Sequence, residues 1–160
     1  MSVFLKPRGF WSVKDASWST QADVSWWRRA RKSQCEDWYQ VTPYIAEFWC
    51  AITNLPFLYV AWLFSFWPLA VVGMTSLVHH TIPYQWIVEA DKAFAFSMIA
   101  WVTWTVFVHS LTSLIFPLLI CGGLMLIDGL SRGSRPRGII HPIWHLGCAA
   151  FMYLFLSIYR

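Results

Sequence analysis

From Tyr44 to its last residues the chain reads as five apolar runs with almost no polar sequence between them. The runs cover about Tyr44 to Phe64, Trp67 to Thr81, Tyr84 to Val108, Leu111 to Leu130 and Ile139 to Ile158. A helix needs roughly 20 apolar residues to cross the ~30 Å hydrocarbon core of a bilayer, and every run but the second meets that length. The second reads as a partial span shielded by its neighbours, or as one that borrows residues from the turn around Phe66. The expected fold is therefore all-α: a polytopic membrane helix bundle of about five transmembrane helices over residues 44–160. Pro56 is expected to kink the first helix. Pro68 and Pro142 fall in the first turns of theirs, where proline is tolerated, and Pro117 lies in the fourth.

The composition leaves few alternatives. The chain is 58% hydrophobic and 12% charged, against about 25% charged residues in soluble domains. A soluble core of this size could not bury so much apolar surface, so lipid is the expected solvent. Twelve tryptophans suit the membrane interface. The formal charge of +4 follows the spans and gives no reason to expect a nucleic-acid partner.

Residues 1–43 read as a separate peripheral segment. Trp11, Trp18, Trp26 and Trp27 alternate with polar residues, and Arg28, Arg29, Arg31 and Lys32 form a basic cluster. Such a segment suits anionic lipid at the interface. It lacks the apolar stretch of a cleavable signal. Arg132, Arg135 and Arg137 fall in the one longer loop, Ser131 to Gly138. With five spans both basic segments share a side, and the positive-inside rule makes that side, and the N-terminus, cytoplasmic.

Polar groups inside spans are costly and usually functional. Following the topology, Glu47, Ser76, His79, His80, Asp91, His141 and His145 all return to the N-terminal face, and His109 falls at the opposite turn. His141 and His145 are spaced i, i+4 and share one helical face; so are Ser76 and His80. His79 competes with His80, because i+3 and i+4 from Ser76 lie on nearly the same face. Three histidines with an open position form the usual first shell of a catalytic zinc, and Asp91 is the candidate general base. Cys50, Cys121 and Cys148 lie in apolar runs and read as inert core thiols. Cys35 lies in a polar stretch, and no cysteine spacing suggests a metal site.

These residues also carry a resemblance. Cys35-Glu36-Asp37-Trp38-Tyr39, followed by Tyr44-Ile45-Ala46-Glu47-Phe48-Trp49 and Ile52-Thr53-Asn54, resembles the N-terminal signature of the alkaline ceramidase family. Gly73 to His80 resembles that family's G-x-x-S-x-x-x-H stretch. Asp91 stands eleven residues beyond His80, as the family's aspartate does, and His141-Pro142-Ile143-Trp144-His145 resembles its final H-x-x-W-H. The likeness covers about Ser33 to Asp91 and His141 onward. The Ser, Asp and three-His pattern is shared more widely, with adiponectin-receptor-like proteins. The resemblance implies a zinc amidase that cleaves the N-acyl bond of ceramide, or a related lipid amide, to a sphingoid base and a fatty acid. It makes His80, His141 and His145 the zinc ligands, selects His80 over His79, gives Asp91 the proton of the attacking water, and sets Ser76 to stabilise the oxyanion. It also implies a calcium site using Glu36 and Glu47. Ser33, Gln34 and Trp38 depart from that site's pattern, and calcium wants six to eight oxygens, so weak or absent calcium binding is expected. The family has seven spans, and here two helices are missing before the last. The competing expectation is a non-catalytic lipid- or metal-binding membrane receptor or regulator of related architecture.

Overall fold

The computed structural model describes residue 42 and residues 44–82, 84–131 and 137–159. The peripheral segment, Cys35, Glu36 and most of the basic loop lie outside the described residues. Among the described residues the fold is all-helical. Helices α1 (Phe48–Ile52), α2 (Leu55–Leu63), α3 (Trp67–Thr81) and α4 (Gln85–Val108) are followed by a 3-10 turn (Thr112–Leu114) that runs into α5 (Ile115–Leu130), and α6 (Arg137–Tyr159) ends the chain.

The first apolar run is two helices rather than one kinked at Pro56. The break lies upstream, at Thr53 and Asn54. There the Asn54 N–H turns to the Ala51 carbonyl at 3.1 Å, and the Asn54 side chain takes over the Cys50 carbonyl at 2.7 Å. A side chain thus satisfies the backbone group that the break releases. Pro56 then sits in the first turn of α2, where its missing N–H costs nothing. Pro142 differs in the opposite sense. Because α6 begins at Arg137, it stands inside the helix and removes a donor from the Gly138 carbonyl.

Two reversals use one device. At the end of α2 the Phe66 N–H donates to the Ala61 carbonyl at 2.8 Å and the Ser65 N–H to that of Trp62 at 3.1 Å. After α4, Leu111 donates to Val106 at 2.9 Å and Ser110 to Phe107 at 3.2 Å. Both are Schellman closures, which call for a left-handed residue usually supplied by glycine. Here serines supply it, with φ 51° at Ser65 and 52° at Ser110.

Helix α3 packs against α1, α2 and α4, and α6 packs against α1, α2 and α5. Gly73 lets α3 meet α2 closely: a Cβ there would stand 2.9 Å from the Phe57 Cβ. The apolar core gathers Phe57, Val60 and Leu69 with Val102 and Val106 of α4 and Phe151, Phe155 and Leu156 of α6. That core fills one end of the helices. The other end, where α3 finishes and α6 begins, carries the polar groups.

The outer surface is apolar. Trp62, Trp67, Phe116 and Leu130 are each more than 70% exposed. Two helices, Thr112–Leu130 and Gly138–Tyr159, are long and apolar enough to cross a membrane.

Candidate metal centre

The segment before α1 is bound to the end of α3. The Ala46 N–H donates to the Thr81 carbonyl at 3.3 Å and the Glu47 N–H to the His80 carbonyl at 2.9 Å. The last carbonyls of a helix have no partner within it, and here an extended backbone supplies one. The same attachment delivers the Glu47 carboxylate to the His80 ring, with Oε2 2.5 Å from Nδ1. Both side chains are buried. Glu47 therefore grips His80 at both backbone and side chain.

The two histidines of α6 are backed in a similar way. His141 Nδ1 stands 3.1 Å from Asp128 Oδ2, an ion-pair contact across α5 and α6. His145 Nδ1 lies 3.1 Å from the Thr53 hydroxyl and 3.4 Å from Asn54 Nδ2, the two residues at the α1–α2 break. The helix break thus serves the site, since it places two polar side chains against His145.

Glu47, Asp128 and Thr53 thus stand against the Nδ1 side of the three rings. The three rings converge: centroids of His80, His141 and His145 are 5.3, 5.2 and 4.5 Å apart, and each pair meets edge to face. Polar groups that hold the far nitrogen of a ligating histidine are the usual support of a metal site, fixing ring orientation and raising basicity. Cys50, His80 and His141 are buried, and one donor atom from each lies within 4.8 Å of the others. This group can hold a metal ion; His145, expected as a ligand, adjoins it through its ring but is not one of its members.

His79 and His80, which spacing left equivalent, take different roles. His80 faces His141 and His145. His79 turns to Asp91, with Nδ1 2.8 Å from Oδ2, while its ring stacks on His80 at 4.5 Å. Asp91 therefore reaches the cluster through His79. Ser76 is buried one turn before His80. Its hydroxyl has no hydrogen-bond partner among the described residues, whereas Thr75 beside it is bonded to the Val71 and Val72 carbonyls. His109 lies away from the cluster, against Tyr159 at the far end of α6.

Sequence reasoning missed two members. Cys50, read as an inert core thiol, belongs to the possible metal-binding group. Asp128 passed unnoticed at the end of an apolar run, although a carboxylate there is costly unless paired. Glu47 stands against His80, and its expected calcium partner Glu36 lies outside the described residues.

The charge pattern repeats one theme. Glu47, Asp91 and Asp128 each face a histidine, and the remaining charged side chains described, Glu89 and Lys92, pair with each other at 3.0 Å on the surface. The chain matches no protein-family profile, no curated protein and no solved structure.

Proposed function

We propose that the chain is a multi-pass membrane amidase that binds zinc through His80, His141 and His145 and hydrolyses a long-chain lipid amide of the ceramide type. The observation that carries this reading is that an acceptor stands against Nδ1 of each imidazole: Glu47 at His80, Asp128 at His141 and the Thr53 hydroxyl at His145. Buried histidines that served packing alone would not need three separately oriented partners. The resemblance to alkaline ceramidases, which rests on the quoted motifs, supplies the substrate class.

Zinc, when bound to such a donor set, polarises water and a carbonyl group. The rest falls to the chain. Asp91, held by His79, accepts a proton from the attacking water and passes it to the amine nitrogen as the C–N bond breaks. The Ser76 hydroxyl donates a hydrogen bond to the oxygen that gains charge at the amide carbon. The products are a fatty acid and an amine-bearing sphingoid base.

Several features support a membrane setting for about five spans; the cytoplasmic N-terminus rests on the placement of basic residues in the sequence. The outer surface is apolar over the length of the helices, far beyond the patches that soluble monomers expose. Helix α4, at 24 residues, measures about 36 Å at 1.5 Å per residue. Helix α3, at 15 residues, measures about 22 Å and crosses only part of the core, sheltered by its neighbours.

A second reading has its own support. Cys50 in the donor group is the kind of ligand found in closed, structural zinc sites, as a receptor or regulator would use. The test is fatty-acid release from a panel of ceramides by purified protein, with Asp91→Asn beside wild type and zinc measured in both. The variant should keep its zinc and lose on the order of 10²-fold in rate, the lower scale of acid–base catalysis. Equal rates would remove Asp91 from the mechanism.

A further inference from the structure

Cys50 is placed with unusual care for a thiol in an apolar helix. It lies on α1 three residues after Glu47 and is fully buried. Its backbone is fixed from both sides. Glu47 is tied to His80, and the Cys50 carbonyl accepts hydrogen bonds from Asn54 Nδ2 at 2.7 Å and the Thr53 hydroxyl at 3.1 Å. Thr53 and Asn54 also hold His145. One short segment therefore positions Cys50, His80 and His145 together. The other buried thiol, Cys121, lies instead in the apolar core, with Cys148 packed against it.

We propose that Cys50 is a metal ligand, bound as its thiolate, and that it closes the resting centre. The proposal rests on the metal-site reading above and adds a fourth donor to it. Structural zinc sites are filled by four cysteine and histidine donors, whereas catalytic sites keep one position for water or substrate. Cys50, His80 and His141 bring their donor atoms together, and His145, whose ring adjoins both histidines, would make the fourth. The thiol must lose its proton to coordinate, so metal uptake releases that proton to solvent. A thiolate also selects zinc over magnesium or calcium, which prefer oxygen donors. Wild type then turns over only in the fraction of centres where the Cys50 thiolate is off the metal, so it is slowed by Cys50 and not silent.

The test uses the full chain in detergent or lipid, loaded with zinc for X-ray absorption and with cobalt(II) for optical spectroscopy. Wild type should show a zinc–sulfur shell at about 2.3 Å and thiolate-to-cobalt charge-transfer absorption in the near ultraviolet. Cys50→Ala should still bind about one metal ion per chain, lose the charge-transfer band, and hydrolyse lipid amide faster than wild type. Cys50→Ser, which preserves the side-chain volume, guards against a folding defect in the alanine variant. Metal bound by nitrogen and oxygen alone in wild type overturns the role of Cys50 while leaving the three-histidine site intact. A folded chain that takes up no metal at all overturns both.

Discussion

His79 and His80 share a chemistry and adjoin in sequence, yet α3 turns them to different partners. Spacing from Ser76 could not separate them, because a one-residue step along a helix is decided by what packs on each side. The partners decide it: Glu47 holds His80 in the cluster, and Asp91 draws His79 to its flank. His80→Ala should therefore abolish stoichiometric zinc binding, while His79→Ala should retain most of the metal, as elemental analysis of purified variants would show. The reverse order would mean that the wrong face of α3 is turned to the metal. Loss of a residue that orients a ligand costs about 10–100-fold in metal affinity. Glu47→Gln and Asp128→Asn should each weaken zinc binding by that factor in competition with a chelator. Affinity unchanged in both would strip the carboxylates of their orienting role. That His80, His141 and His145 would lie close together was legible in the sequence, because imidazoles are rare in apolar helices. Cys50 was not, because a thiol in such a run is more often filler, and Asp128 was not, because its partner His141 lies beyond a loop on the next helix.

At the scale of elements, the five apolar runs anticipate the helices closely from the second run onward, with boundaries within a few residues. Hydrophobic length and short turns are local properties, so sequence carries them. The α1–α2 break was less legible. Pro56 drew attention downstream, whereas the interruption depends on Thr53 and Asn54 bonding backward to carbonyls and outward to His145. Close packing of α2 on α3 was invisible as well, since it depends on Gly73 meeting Phe57. Gly73→Ala should destabilise the fold by about 1–3 kcal/mol, as overpacking does, with a lower thermal midpoint in detergent. A midpoint at or above wild type would show that the two helices separate without cost. At Ser65 the left-handed φ disfavours any side chain. Ser65→Gly should raise the midpoint modestly, by up to about 1 kcal/mol of relieved strain. Ser65→Ala should not produce the same gain.

For the whole molecule, one arrangement separates the apolar core from the polar cluster. The helices share an apolar core at one end, and their other end brings together α1, α3, α5 and α6 around the histidines. An amide lipid arriving sideways from the bilayer would meet these groups at headgroup depth. That geometry requires the second run to return the chain across the membrane. Reporter fusions at the two ends should accordingly report opposite sides, with the N-terminus cytoplasmic. Agreement between them would make the span count even, with α3 the element misread. Sequence length and charge suggest this topology, but they could not show what holds the polar residues of separate helices together. The structure's answer is the docking of the Ala46–Glu47 backbone onto the end of α3.

If this polar end is a zinc centre that hydrolyses a lipid amide, removing and restoring the metal must switch the activity off and on. Purified full-length protein is stripped of metal with a chelator and reloaded with zinc. Fatty-acid release from ceramides and related lipid amides is followed at each stage. The expected result is about one zinc per chain, as a single site of this kind holds, with hydrolysis lost on stripping, restored by zinc and not restored in His80→Ala. A folded, zinc-loaded wild-type protein that releases no fatty acid from any of these substrates would contradict the account and leave the receptor-like reading in its place.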